Sequence, residues 1–131
     1  MVKKNEPKVS EQLSDICRFF DSVQKEYAYH SEQAAEMDRL TQDYLHMLEL
    51  DGLSYRERAK VATQLAKCRQ TRREHKDAVQ VLEPICEFLN AGPGRQTLNQ
   101  LREILGKTRR TEERMRNRVY VPRVLDQNKE L

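Results

Sequence analysis

A chain of 131 residues is long enough to bury one core and short for two. Charged residues make up 34% and aromatics 6%, with no Trp, four Gly and four Pro, around a net charge of only +3. That balance favours long helices over sheets, and the lack of any apolar run of about 18 residues excludes a membrane-spanning helix.

The net charge conceals an asymmetry. Residues 1–52 carry 6 basic and 11 acidic side chains, net −5; residues 53–94 carry 8 and 5, net +3; residues 95–131 carry 10 and 5, net +5. The opening "MVKKNEPK" has no apolar segment behind its lysines, so no secretory signal is expected. Cys17, Cys68 and Cys86 lie too far apart to read as a disulfide framework or a zinc signature, which fits a reducing, cytoplasmic compartment.

From Val9 onward, side chains recur at alternating steps of four and three: Val9, Leu13, Ile16, Phe20, Val23, Tyr27, His30, Ala34, Met37, Thr41, Tyr44, Leu48. Such a heptad seam predicts one helix over 9–50. The acidic first turn after Ser10 suits a helix start, and "LDGLS" a stop, with Gly52 expected in the left-handed backbone conformation of a C-terminal cap.

"SYRE" places Ser54 and Glu57 at capping-box spacing and opens a second helix over 54–90. Its seam runs Val61, Leu65, Cys68, Arg72, His75, Val79, Leu82, Cys86, Leu89. Folding the chain back near Gly52 sets Tyr44 against Val61, Met37 against Cys68, His30 against His75, Val23 against Leu82, Phe20 against Cys86 and Ile16 against Leu89. The two ridges coincide, as an antiparallel hairpin requires. Beside the seam, Asp38 is expected to pair with Arg69, and Phe19 to cover Ile85. Pro84 is expected to kink the second helix, because it lacks an amide hydrogen and crowds the preceding turn.

"NAGPGR" is expected to break the chain before a third helix over 96–117, started by Thr97. Leu98, Leu101, Ile104 and Leu105 give that helix an apolar face suited to the Phe19, Ile85, Phe88 end of the hairpin. Residues 118–131, with "VYVPRVL", read as an extended tail. The fold expected is therefore all-α, a long coiled-coil-like hairpin with a shorter third helix.

Two polar residues interrupt the second seam, Arg72 and His75, and His30 answers from the first. One reading is a polar layer that sets register, provided the guanidinium reaches a carboxylate or water. Another is that Arg69, Arg72, Arg73, His75, Lys76 and His30 bind an anion or a partner's carboxylate. A metal on His30, His75 and Cys68 is a third option, but no ligand quartet of usual spacing surrounds them, so no metal or cofactor is expected. His46 lies off the seam and is expected in solvent.

Arg109, Arg110, Arg114, Arg116, Arg118 and Arg123 form a basic run that could lie on nucleic-acid phosphates. Against it, Glu112 and Glu113 interrupt the run, no aromatics interleave for base stacking, and the acidic first helix offers an internal partner. No catalytic pattern is present: "GPG" at 92–94 lacks the Lys-Ser/Thr of a phosphate loop, and no cysteine has a fixed base.

Leu40, Leu45 and Met47 flank the seam near the hairpin tip and exceed what one helix can cover, which points to a second copy, a dimer being favoured, or to another protein. The span "LTQDYLHMLELDGLSYRERAKVATQLAKCRQTRREHKDAVQVLEP" resembles small uncharacterised helical-hairpin proteins of Firmicutes phages and prophages, through Tyr44 to Leu50 and then Arg69, Arg72, Arg73, Lys76 and Asp77. The resemblance covers about a third of the chain. It implies a hairpin fold and a phage setting, in the host cytoplasm, and transfers no site. The expectation is a non-enzymatic interaction protein that binds or inhibits a host or defence protein, with nucleic-acid binding as the alternative.

Overall fold

The computed structural model describes residues 8–50 and 52–122, with Glu6 and Val124. Three α-helices occupy nearly all of it, α1 (Val9–Leu50), α2 (Tyr55–Asn90) and α3 (Gly92–Arg116), and α1 and α2 pack along each other as an antiparallel hairpin. Among the described residues no helix is long and apolar enough to cross a membrane.

Each helix start has a local cause. Before α1, the Lys8 amide donates to Glu11 Oε2 at 3.3 Å, so the acidic first turn satisfies an orphan donor. Ser54 caps α2 as its spacing predicts: its hydroxyl accepts from the Glu57 amide at 3.2 Å and donates to Glu57 Oε1 at 3.1 Å. Gly52 is exposed, with nothing within 4 Å of a Cβ added there. Asp51 lies outside the described residues.

The break expected at "NAGPGR" shrinks to a single residue. Ala91, at φ −78° and ψ 150°, is both the C-cap of α2 and the N-cap of α3, and Pro93 sits in the first turn of α3, where its missing amide hydrogen costs nothing. The third helix thus starts four residues before its expected position, and Thr97, instead of capping it, donates to the Pro93 carbonyl from inside the helix at 2.9 Å. Arg95 Nη2 donates to the Asn90 carbonyl at 2.8 Å and closes the end of α2. Helix α2 itself runs unbroken through Pro84.

The junction fixes where α3 goes. Arg102 pairs with Asp21 at 2.6 Å, and the buried Ser10 donates to Glu112 Oε2 at 3.1 Å, so α3 runs antiparallel to the first third of α1. Its buried anchor is Leu105, with Leu98 packed on the main core of Val23, Cys86 and Leu89 beside Phe20, Tyr27, Leu82 and Ile85. α3 thus docks at the expected end of the hairpin, beside Ile85, while the side chains of Phe19 and Phe88 stay 51% and 45% exposed. Ile16, expected against Leu89, is 45% exposed, and Leu98 of α3 packs on the core that contains Leu89.

Towards the tip, Ala34, Thr41, Val61 and Cys68 are buried. Thr41 and Cys68 both donate to the Met37 carbonyl, at 2.8 and 3.2 Å, so polar seam atoms are satisfied within the hairpin. All three cysteines are buried and unpaired, and burial pushes the Cys86 thiol above its ordinary range. After α3, Val119, Tyr120 and Val121 are exposed and have no regular structure; most of the expected tail, from Leu125 on, lies outside the described residues.

Candidate functional site

The seam's polar residues gather halfway along the hairpin. His30 on α1 and His75 on α2 fall on the facing ridges, and their Nδ1 atoms approach to 2.8 Å. With ring centroids 5.1 Å apart, the two nitrogens lie close to the line joining the rings, so each presents its lone-pair direction to the other. One ring must therefore donate Nδ1–H and the other accept, which sets opposite tautomers on the two sides. Tyr29 stands edge-on to both rings, at 5.1 and 5.9 Å, and closes the outer side.

One turn towards the tip, Arg72 resolves the anomaly of a guanidinium in a packing seam. The small Ala34 is buried at this level, and Arg72 Nε donates to Asp38 Oδ1 at 2.5 Å. Arg69 reaches the same oxygen at 3.9 Å, so the expected Asp38–Arg69 contact exists as the longer arm of a three-membered cluster. Because Asp38 is 49% and Arg72 30% exposed, solvent screens the pair and its worth is about 1 kcal/mol or less. Its effect is on register: a one-turn slip would strand the guanidinium and separate the imidazoles together.

Cys68 does not join the histidines. It lies beside Met37 and Thr41, seven residues from the imidazole on each helix, about 10 Å along the axis. Among the described residues no group of three or more metal-ligating side chains occurs. Arg73 and Lys76 are exposed beside the cluster, and a shallow depression of about 380 Å³ is lined by Arg69, Gln70, Arg72 and Arg73. The six residues expected to bind an anion thus divide: His30, His75 and Arg72 turn inward on one another and on Asp38, whereas Arg73 and Lys76 face water and Arg69 is half engaged.

The other expected surfaces also resolve. Leu40 is half-buried, Leu45 and Met47 are 39% and 36% exposed, and Leu50 and Tyr55 beside the turn are 76% and 91% exposed, so apolar surface stays free at the tip. Arg109, Arg110, Arg114, Arg116 and Arg118 are all exposed and form no ion pair among the described residues; the internal partner expected in α1 is taken by Arg102. Arg123 lies outside the described residues. His46 is exposed.

An apolar strip that sequence reasoning missed lies at the opposite end from the tip. Val9 is 59%, Ile16 45%, Ile104 47% and Met115 55% exposed. Spacing gave no signal for it, since Val9 and Ile16 continue the seam unchanged; they lie beyond the point where α2 stops, beside Gln24, whose amide lies 3.5 Å from Asn90 Oδ1. No family model, curated protein or solved structure matches this chain.

The imidazole pair makes a measurable prediction. Replacing either His30 or His75 by Leu leaves the other ring half-buried with its nitrogen unanswered, at a cost of about 1 kcal/mol, whereas replacing both is expected to be neutral or stabilising. A double-mutant cycle by chemical denaturation should return a coupling of about 2 kcal/mol. Additive effects would mean the contact contributes nothing.

Proposed function

We propose that this chain is a non-enzymatic protein–protein interaction module of phage type, which acts as a homo-oligomer and binds or inhibits a host or defence protein in the cytoplasm. The observation that carries the reading is the apolar surface left on a registered hairpin: Val9, Ile16, Phe19, Ile104 and Met115 are large apolar side chains at least 45% exposed. Grease of that extent on packed helices favours association with another protein surface. The basic flank of α2, with Arg69, Arg73 and Lys76 facing water, would add orientation and encounter rate towards an acidic partner. Light scattering on the purified chain tests the oligomer, with a dimer expected; a monomer at high micromolar concentration overturns it.

A second reading, nucleic-acid binding, is favoured by the exposure of Arg109, Arg110, Arg114, Arg116 and Arg118, which form no ion pair among the described residues. Phosphate contacts lose affinity steeply as salt rises, and an apolar contact does not. A gel-shift titration with DNA and RNA at two salt concentrations separates the two readings: retention at low salt that vanishes at high salt supports phosphate binding, and no retention at low salt eliminates it.

A further inference from the structure

The heptad ridge of α1 is continuous, but its cover is not. Val23, Ala34 and Thr41 on that ridge are at most 8% exposed beneath α2, whereas Val9 and Ile16, two heptads and one heptad before Val23, are 59% and 45% exposed. The covering helix stops at Asn90, level with Gln24, and α3 then packs on a different side of α1, holding Ser10 and Cys17 buried and pairing with Asp21. What remains is a groove in which Val9 of α1 faces Ile104, Thr108 and Thr111, spaced four and three along one face of α3, around a space of about 360 Å³, with Ile16 exposed one heptad further along the α1 ridge. Its rim carries Lys107 beside that space and Lys8 and Arg116 just beyond, against a single carboxylate, Glu112, already bonded to Ser10.

We propose that this groove between α1 and α3 is a homodimer interface, filled by the first third of α1 from a second copy. The inference rests on reading the chain as a homo-oligomer and moves the contact from the hairpin tip to the opposite end. Two features select this occupant. A ridge already shaped at heptad spacing for an antiparallel helix can receive its own counterpart across a two-fold axis, the self-complementary contact that closes a dimer. Charge agrees: over its first third, residues 9–22, α1 has three acidic side chains (Glu11, Asp15 and Asp21) and one basic (Arg18), and it would lie along the cationic rim of Lys8, Lys107 and Arg116. The ridge from Val9 to Ile16 is about 10 Å long, two helical turns.

The experiment is light scattering and sedimentation on the full chain and two double variants, with circular dichroism as the check on folding. Wild type is expected to be dimeric, Ile16→Glu/Ile104→Glu monomeric at the same helicity, and Leu45→Glu/Met47→Glu dimeric. A dimer that survives Ile16→Glu/Ile104→Glu and is lost in Leu45→Glu/Met47→Glu overturns this interface while leaving the homo-oligomer reading intact. A monomeric wild type overturns both. Should the first variant lose helicity, a single Ile104→Ser replacement, at a position already half exposed, decides: the dimer dissociation constant is expected to rise at least tenfold, and an unchanged constant overturns the assignment.

Discussion

Gly94→Ala is expected to be among the most damaging single-methyl additions in the chain. A Cβ placed on Gly94 would lie 1.7 Å from the Phe88 carbonyl oxygen and 2.6 Å from its carbon. These are backbone atoms of α2's last turn, so no side-chain rotation relieves the clash and the α2–α3 junction has to open. Overpacking against backbone costs about 2–4 kcal/mol, which at this chain length lowers the melting temperature by roughly 10 °C. Gly92→Ala is the matched control, since nothing lies within 4 Å of the added carbon there. Chemical denaturation should show a large fall in midpoint for the first variant and little change for the second. Equal, small effects would mean that α3 does not lie against the end of α2.

Leu89→Ala is the second large effect. Leu89 is 2% exposed and belongs to the core with Val23 and Cys86, with Phe20, Ile85 and Leu98 around it, so side chains from all three helices meet there. Truncation removes the transfer energy of the lost carbons and leaves a cavity that three helix backbones cannot all collapse into, about 3 kcal/mol together. Leu82, only partly buried at the edge of the same cluster, should cost clearly less when truncated. If the two substitutions cost the same, α3 is not fastened at this point. Because α3 forms one wall of the groove proposed for dimerisation, Leu89→Ala should also weaken self-association.

These two effects bear on function through geometry. The polar cluster at mid-hairpin sets the register of α1 against α2, with His30 on His75 and Arg72 on Asp38. Gly94 and Leu89 set where α3 lies against α1. The first therefore decides which side chains the hairpin presents towards its tip, and the second decides what is presented at the opposite end. The surface at either end depends on a different part of the same small core, so variants at one end can be interpreted without disturbing the other.

Much of this architecture was legible in the residues themselves. Period is a local property: steps of four and three define a helix and its buried ridge without reference to anything distant, and two ridges of matching period joined by a short loop align in essentially one antiparallel way. That is why the hairpin, the Ser54 cap and the meeting of His30 with His75 followed from the sequence. The tertiary structure decided what depends on the third dimension. Whether Arg72 is a burden or a pin depended on Asp38, a neighbour across the seam that spacing assigned to Arg69. Whether "NAGPGR" is a loop or a one-residue joint depended on Gly94 fitting under the Phe88 carbonyl, a backbone approach that a glycine permits but does not announce. The position of α3 followed from that joint, and with it which of the seam's apolar residues stay in water: Val9 and Ile16 carry the same pattern as Val23, and only the point at which α2 ends distinguishes them.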